Sequence, residues 1–238
     1  MTPPERPPRT AIPESDLSLP VRWLLFVIGV WIMSIGIAIS VHAALGTSPI
    51  STVPAALAAS IPLSFGEITI LMNLAFVGVQ ALLLRRRFHP LNILQIAVAV
   101  AFGWLCDVSL RMTAFLQPES YPQQWLLVVL GAVVVSIGVF VQVLPRVLYI
   151  PGEGIVVAIA VVTGRQFGTI KQCVDWSLVI VAVALSLALA GRLEGVREGT
   201  VFAAFAVGAL VRFYQRWWDR LRDRRPGPTA RGQDLPSQ

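Results

Sequence analysis

Residues 23–68 read WLLFVIGVWIMSIGIAISVHAALGTSPISTVPAALAASIPLSFGEI, and residues 125–170 read WLLVVLGAVVVSIGVFVQVLPRVLYIPGEGIVVAIAVVTGRQFGTI. Laid over one another without gaps at an offset of 102, the two stretches share 15 identities in 46 positions. The matches pair Trp23-Leu24-Leu25 with Trp125-Leu126-Leu127, Gly29 with Gly131, Ser34-Ile35-Gly36 with Ser136-Ile137-Gly138, Pro49 with Pro151, and Phe65-Gly66 with Phe167-Gly168. Shared apolar composition does not bring Trp, Gly and Pro into one register, so the chain is read as two copies of one structural unit. Beyond the quoted stretches the halves drift by three residues, and Gly103 matches Gly208 at an offset of 105.

Both copies belong in a lipid bilayer. Hydrophobic residues make up 55% of the chain and charged ones 13%, whereas a soluble domain averages about a quarter charged. Mean hydropathy is +0.72. The apolar runs are long enough to cross about 30 Å of hydrocarbon at about 1.5 Å per residue. Six full spans are expected, over about 23–44, 67–84, 91–110, 125–144, 169–190 and 200–215. Each half also holds one short helical piece: Ile50 to about Ile61 after Ser48-Pro49, and a second running to about Thr163 after Pro151-Gly152-Glu153-Gly154. A dozen helical residues rise only about 18 Å, so these pieces are read as re-entrant half-helices. Ser48-Pro49 carries the start signal, a hydroxyl cap followed by proline at the first helical position.

The organisation follows: a Pro-rich, disordered N-terminal tail over 1–20, a first membrane repeat over 21–112, a second over 123–215, and a basic cytoplasmic tail over 216–238. The first apolar run is too long for a signal-peptide core and lacks a small-residue cleavage site followed by polar sequence, so it stays as a span. The net charge of +6 comes from Arg in tails and short loops, which is a topology signal and excludes nucleic acid as the partner. With six spans and the N-terminus inside, 16 of the 19 Lys and Arg lie on the cytoplasmic side. With eight spans only 13 do, because Arg85-Arg86-Arg87 moves outside. The positive-inside rule therefore places both termini in the cytoplasm, and three crossings per half turn the two copies upside down relative to each other. The basic, Trp-containing tail beyond Arg216 suits anionic lipid headgroups. The fold class expected is all-α polytopic, two inverted repeats of three spans plus one half-helix, the recurrent build of secondary transporters.

The candidate site residues are those that are costly at bilayer depth. Asn73 and Asp175 occupy equivalent positions, about ten residues into their spans and so roughly 10 to 15 Å deep, where they can flank one cavity or simply hydrogen-bond across helices. Lys171 stands four residues before Asp175 on one face and can pair with it or reach for the inner interface. Thr47, Ser48 and Ser51 in one half, and Gly152, Glu153 and Gly154 in the other, sit at short-helix N-termini, whose free N–H groups favour an anionic or carbonyl group. Glu153 can equally occupy that place itself as a cap. Glu67, three residues after Ser64, fits a capping box; Asp107 and Arg111 fit an interfacial pair; Gly29, Gly36, Gly131 and Gly138 fit a flat packing face. Gln95 and His42 are weak single signals, and Cys106 and Cys173 read as small packing residues. The chain carries no phosphate loop, metal motif or nucleophile elbow, so no enzyme, metal or cofactor is expected.

Around Ala44-Leu45-Gly46-Thr47-Ser48-Pro49 and Leu63-Ser64-Phe65-Gly66, with the spans after them, the chain resembles the YczE/YyaS/YitT-like bacterial membrane proteins. Their pattern is an LGxSP break, an LSxG turn, a following span and a second, divergent copy, to which Pro151-Gly152-Glu153-Gly154 and Gln166-Phe167-Gly168-Thr169 are similar. The resemblance covers about residues 22–214 and implies a multi-pass protein of the bacterial inner membrane, with no defined activity. Where that family often has an aromatic and an acid after Ser-Pro, this chain has Ile50 and Ser51. The function expected is a transporter or permease for a small polar or anionic solute bound between the repeats. The alternative expectation is an accessory protein that scaffolds a partner, and a more remote one is an intramembrane enzyme.

Overall fold

A computed structural model describes residues 18–85, 90–145, 147–192 and 195–223. The proposed disorder of the N-terminal tail up to residue 17, the Arg86-Arg87 part of the basic triplet and the tail beyond 223 lie outside the described residues. Among the described residues there are eight α-helices and no strand. They are α1 (Leu19–His42), α2 (Pro49–Ala58), α3 (Phe65–Leu84), α4 (Leu94–Met112), α5 (Tyr121–Val143), α6 (Pro151–Thr163), α7 (Phe167–Ala190) and α8 (Glu198–Asp223), with a 3-10 turn over Pro90–Ile93 before α4. The duplication recurs in the element order: α5, α6 and α7 each begin 102 residues after α1, α2 and α3.

Five helices, α1, α3, α4, α5 and α7, are long and apolar enough to cross a membrane, which gives the chain the character of a multi-pass membrane protein. Six were expected. The sixth expected span lies within α8, but Arg212 and Arg216 interrupt its apolar run, and the helix continues through the basic segment to Asp223. Large apolar side chains such as Leu82, Trp104, Leu126, Ile180 and Phe205 stand exposed, as they would against lipid.

Local sequence explains the breaks. Proline begins α2 and α6, where the missing N–H costs nothing. Gly164 and Gly191 end α6 and α7 in the left-handed region at φ +67° and +68°, which a side-chain-free residue adopts cheaply. At α3 the capping box is complete: Glu67 N–H donates to Ser64 Oγ at 3.0 Å and Ser64 N–H to Glu67 Oε2 at 2.7 Å. At α2, Ser48 occupies the N-cap position but makes no cap bond. Its hydroxyl donates to Ser51 Oγ at 3.1 Å instead, which corrects the expected hydroxyl cap.

The centre of the molecule is the α1–α5 pair. Cβ atoms placed on the four paired glycines would collide across this seam: Gly29 with Gln142, Gly36 with Val135, Gly131 with Ser40 and Gly138 with Met33. The numbers rise along one helix as they fall along the other, so α1 and α5 run antiparallel with their backbones nearly touching, as small residues allow. Buried Ser34, Ser40 and Ser136 donate to the carbonyls of Val30, Gly36 and Ala132 one turn back, so no hydroxyl is left bare in the seam. Arg22 closes one end, donating from Nε and Nη2 to the Pro145 carbonyl at 3.0 and 2.8 Å just past the end of α5, where a cation is favoured.

Around this seam the short helices cross over. α2 packs on α7, and α6 packs on α3, so each half-helix lies against the third helix of the other copy. The copies differ in one respect. In the first, α3 and α4 form a tight hairpin in which Gly66 faces the Gly103 carbonyl; in the second, a Cβ on the equivalent Gly168 would meet nothing within 4 Å. Accordingly 11% of the best α7 window is buried against 28% for α3, and α7 stands apart from α8.

Candidate functional site

The two short-helix N-termini meet. A Cβ on Gly152 would touch the Ile50 side chain, and Ile50 and Gly152 are equivalent residues of the two copies. Gly154, one residue beyond Glu153, lies against the carboxamide of Gln80, with a Cβ there 2.7 Å from Oε1. Gln80, buried on α3, donates from Nε2 to Gln95 Oε1 of α4 and to the Pro151 carbonyl, both at 3.1 Å. On the other side Gln142 of α5 donates to Glu153 Oε1 at 3.5 Å, while its own Oε1 is buried without a partner. Four polar side chains from α3, α4, α5 and α6 thus converge where α6 begins.

Glu153 does not cap its helix. Its only hydrogen-bond partner among the described residues is Gln142. The first-turn N–H groups of Glu153 and Gly154 both donate to the Ile150 carbonyl at 2.9 Å, and Pro151 has none to give. At α2 the Ser51 N–H is likewise spent on the Ser48 carbonyl at 2.8 Å. These first-turn donors are therefore less open to an anion than helix geometry alone suggests.

Lys171 and Asp175 form the expected i, i+4 ion pair at 2.5 Å, with side chains 33% and 21% exposed, so neither is sealed in the core. These are also the two charges that act on Glu153. Asp175 lines a partly open cleft of about 70 Å³ between Pro49 at the start of α2, Gln172, Trp176 and Val179 of α7, and Thr200, Val201, Ala204 and Phe205 of α8, closed by Val196. The cleft occupies the gap left between α7 and α8.

Asn73 does not line this cleft. It is buried on α3, donates from Nδ2 to the Thr69 carbonyl one turn back at 2.8 Å, and leaves Oδ1 unpartnered. The structure thus brings Glu153, Lys171 and Asp175 within electrostatic reach of one another and sets Gly152 beside Ile50, next to Ser51. Asn73 stands apart, two turns before Gln80 on the same face of α3. Thr47 and Ser51 are buried and Ser48 is half-buried at the α2 end.

Several partners escaped sequence reasoning. Asp107 does not pair with Arg111: its carboxylate accepts from Ser64 Oγ at 2.5 Å and from Gly66 N–H at 2.7 Å, capping α3 from across the hairpin. Gln95, a weak signal alone, is the acceptor for Gln80. His42 Nε2 lies 3.1 Å from the Leu110 carbonyl, Cys106 is buried and Cys173 exposed. Among the described residues no cluster of three or more His, Cys, Asp or Glu could hold a metal ion.

Over residues 20–216 the chain matches the model of a family of unknown function, DUF6198, and it belongs to that family. No curated protein and no solved structure is significantly similar to it.

Proposed function

We propose that this protein is a transporter or permease of the bacterial inner membrane, YczE-like in its LGxSP and LSxG breaks, that binds a small polar solute between two inverted repeats. The observation that carries the reading is the meeting of the two short-helix N-termini at Ile50 and Gly152, ringed by Glu153, Gln142, Gln80 and Gln95. The antiparallel α1–α5 seam and the crossed packing of α2 on α7 and α6 on α3 are the contacts an upside-down duplication would make. Asp175 and Lys171, beside the cleft, stand on the path to that centre. Both termini lie in the cytoplasm on this reading, with the Trp217- and Arg220-bearing end of α8 against anionic headgroups. No catalytic step is involved.

The test is solute counterflow in liposomes holding the purified chain. Asp175→Asn changes the flux if Asp175 serves the path, and unchanged flux counts against the carrier reading. A second reading, a membrane accessory protein docking a partner, is favoured by the exposed flank of α7, where Ile180 and Leu187 stand free of the bundle. It expects a stable co-purifying partner and full tolerance of Asn73→Ala and Asp175→Ala.

A further inference from the structure

The polar centre at the start of α6 has more acceptors than donors. Gln80 has two N–H groups on its carboxamide, and both are spent, on Gln95 and on the Pro151 carbonyl. Gln142 donates to Glu153 and leaves its own oxygen buried, on a residue 2% exposed, with nothing to receive. The Glu153 carboxylate accepts one long bond of 3.5 Å and has room for more. Of the first-turn amides of α6, those of Glu153 and Gly154 are turned back onto Ile150. An anion entering here would find most of the donors engaged, whereas a donor would find the carboxylate of Glu153 and the Oε1 atom of Gln142 waiting.

Charge points the same way. Among the described residues the charged side chains acting on one another here are Glu153, Asp175 and Lys171, two negative and one positive, and the ammonium of Lys171 is held by Asp175 at 2.5 Å. Glu153 is left without an ion partner among the described residues. At bilayer depth an unpaired carboxylate is expensive, and the cost is relieved by taking up a proton or by a positive group beside it. A carboxylate and one amide oxygen match the N–H groups of an ammonium, and fall short of the six to eight oxygens that Ca²⁺ takes.

We propose that Glu153 and the Oε1 atom of Gln142 form a binding site for a protonated amine. This rests on the reading of the chain as a carrier of small polar solutes and narrows that class to cationic hydrogen-bond donors. Charge-assisted hydrogen bonds are about twice as strong as neutral ones, so the carboxylate is the larger contributor and the amide oxygen the smaller.

The probe is methylammonium, titrated calorimetrically and by thermal unfolding into the full chain in nanodiscs. Tetramethylammonium, a cation without N–H, and acetate serve as controls at equal ionic strength. Methylammonium is expected to bind saturably and raise Tm, and the controls are not. Glu153→Gln weakens binding at least about tenfold, and Gln142→Leu weakens it about three- to tenfold. Equal stabilisation by tetramethylammonium, stabilisation by acetate alone, or no saturable shift up to about 100 mM methylammonium overturns the proposal. Unchanged affinity in a folded Glu153→Gln protein does so as well. Should Glu153→Gln fail to elute as a single species, Gln142→Leu decides, and unchanged affinity there is fatal. Methylammonium binding without counterflow leaves this site standing and removes the carrier reading; counterflow indifferent to Glu153→Gln does the reverse.

Discussion

At the scale of single residues, glycines that look alike in the sequence have opposite environments. A Cβ on Gly36 would lie 2.5 Å from the Val135 amide nitrogen and 3.0 Å from the Gly131 carbonyl, both backbone atoms that cannot rotate away. Gly36→Val therefore forces α1 and α5 apart and is expected to cost about 1–3 kcal/mol or more, as overpacking does. A Cβ on Gly78 of α3 would meet nothing within 4 Å, so Gly78→Ala should be neutral or gain up to about 1 kcal/mol from helix propensity. Thermal unfolding of detergent-purified variants checks the pair, and equal effects would refute the seam. Asp107 offers a second contrast. Asp107→Ala strips Ser64 Oγ and Gly66 N–H of their acceptor and should cost roughly 1–3 kcal/mol, whereas Arg111→Ala should leave Tm unchanged. A large loss on Arg111→Ala would restore the ion pair suggested by their spacing. That spacing was legible and misleading, because an i, i+4 pair is visible along the chain while a partner on the neighbouring helix, 41 residues away at Gly66, is not.

Among the elements, the decisive quantity is length. α2 and α6 have 10 and 13 residues, which rise about 15 and 20 Å, against about 30 Å of hydrocarbon. On the re-entrant reading each short helix returns to the side it came from, and Ala44, before α2, then shares a face with Ser60, after it. With Cys106 and Cys173 replaced, single cysteines at the exposed Ala44 and the half-buried Ser60 should both react with an impermeant maleimide from the periplasmic side, and one at Arg85 only after the membrane is opened. Periplasmic labelling at Arg85 would make α2 a crossing and return the count to eight spans. The starts of α6 and α7 were foreshadowed by the first copy, because the Pro and Phe-Gly punctuation is written locally. The polar network was not. Gln80, Gln95 and Gln142 each stand alone in an apolar run, and only the crossing of α3, α4, α5 and α6 decides that they face one another rather than lipid. The gap between α7 and α8 was equally hidden, since Gly168 and Gly208 repeat Gly66 and Gly103 without repeating their contact.

For the whole molecule, the consequence of the seam is a division of labour. α1 and α5 are locked backbone to backbone, so any alternation of access must come from the flanking elements moving about them. The joint that would open and close is the one between the short helices, where Ile50 touches Gly152. An Ile50→Cys, Gly152→Cys pair in a background without Cys106 and Cys173 ties that joint shut. On the carrier reading, oxidation of this pair reduces counterflow at least about tenfold, and a reductant restores it; the Ile50→Cys single variant transports in either redox state. Gly152 is pressed by the Ile50 side chain alone at short range, a flexible neighbour that Ile50→Cys itself shortens, so the double variant should fold where Gly152→Cys alone is strained. Flux that persists through a fully formed cross-link, verified by a shift on non-reducing gels, means that solute does not pass between the copies. The polar centre would then be a structural knot in a protein whose work is done elsewhere, on the bare flank of α7.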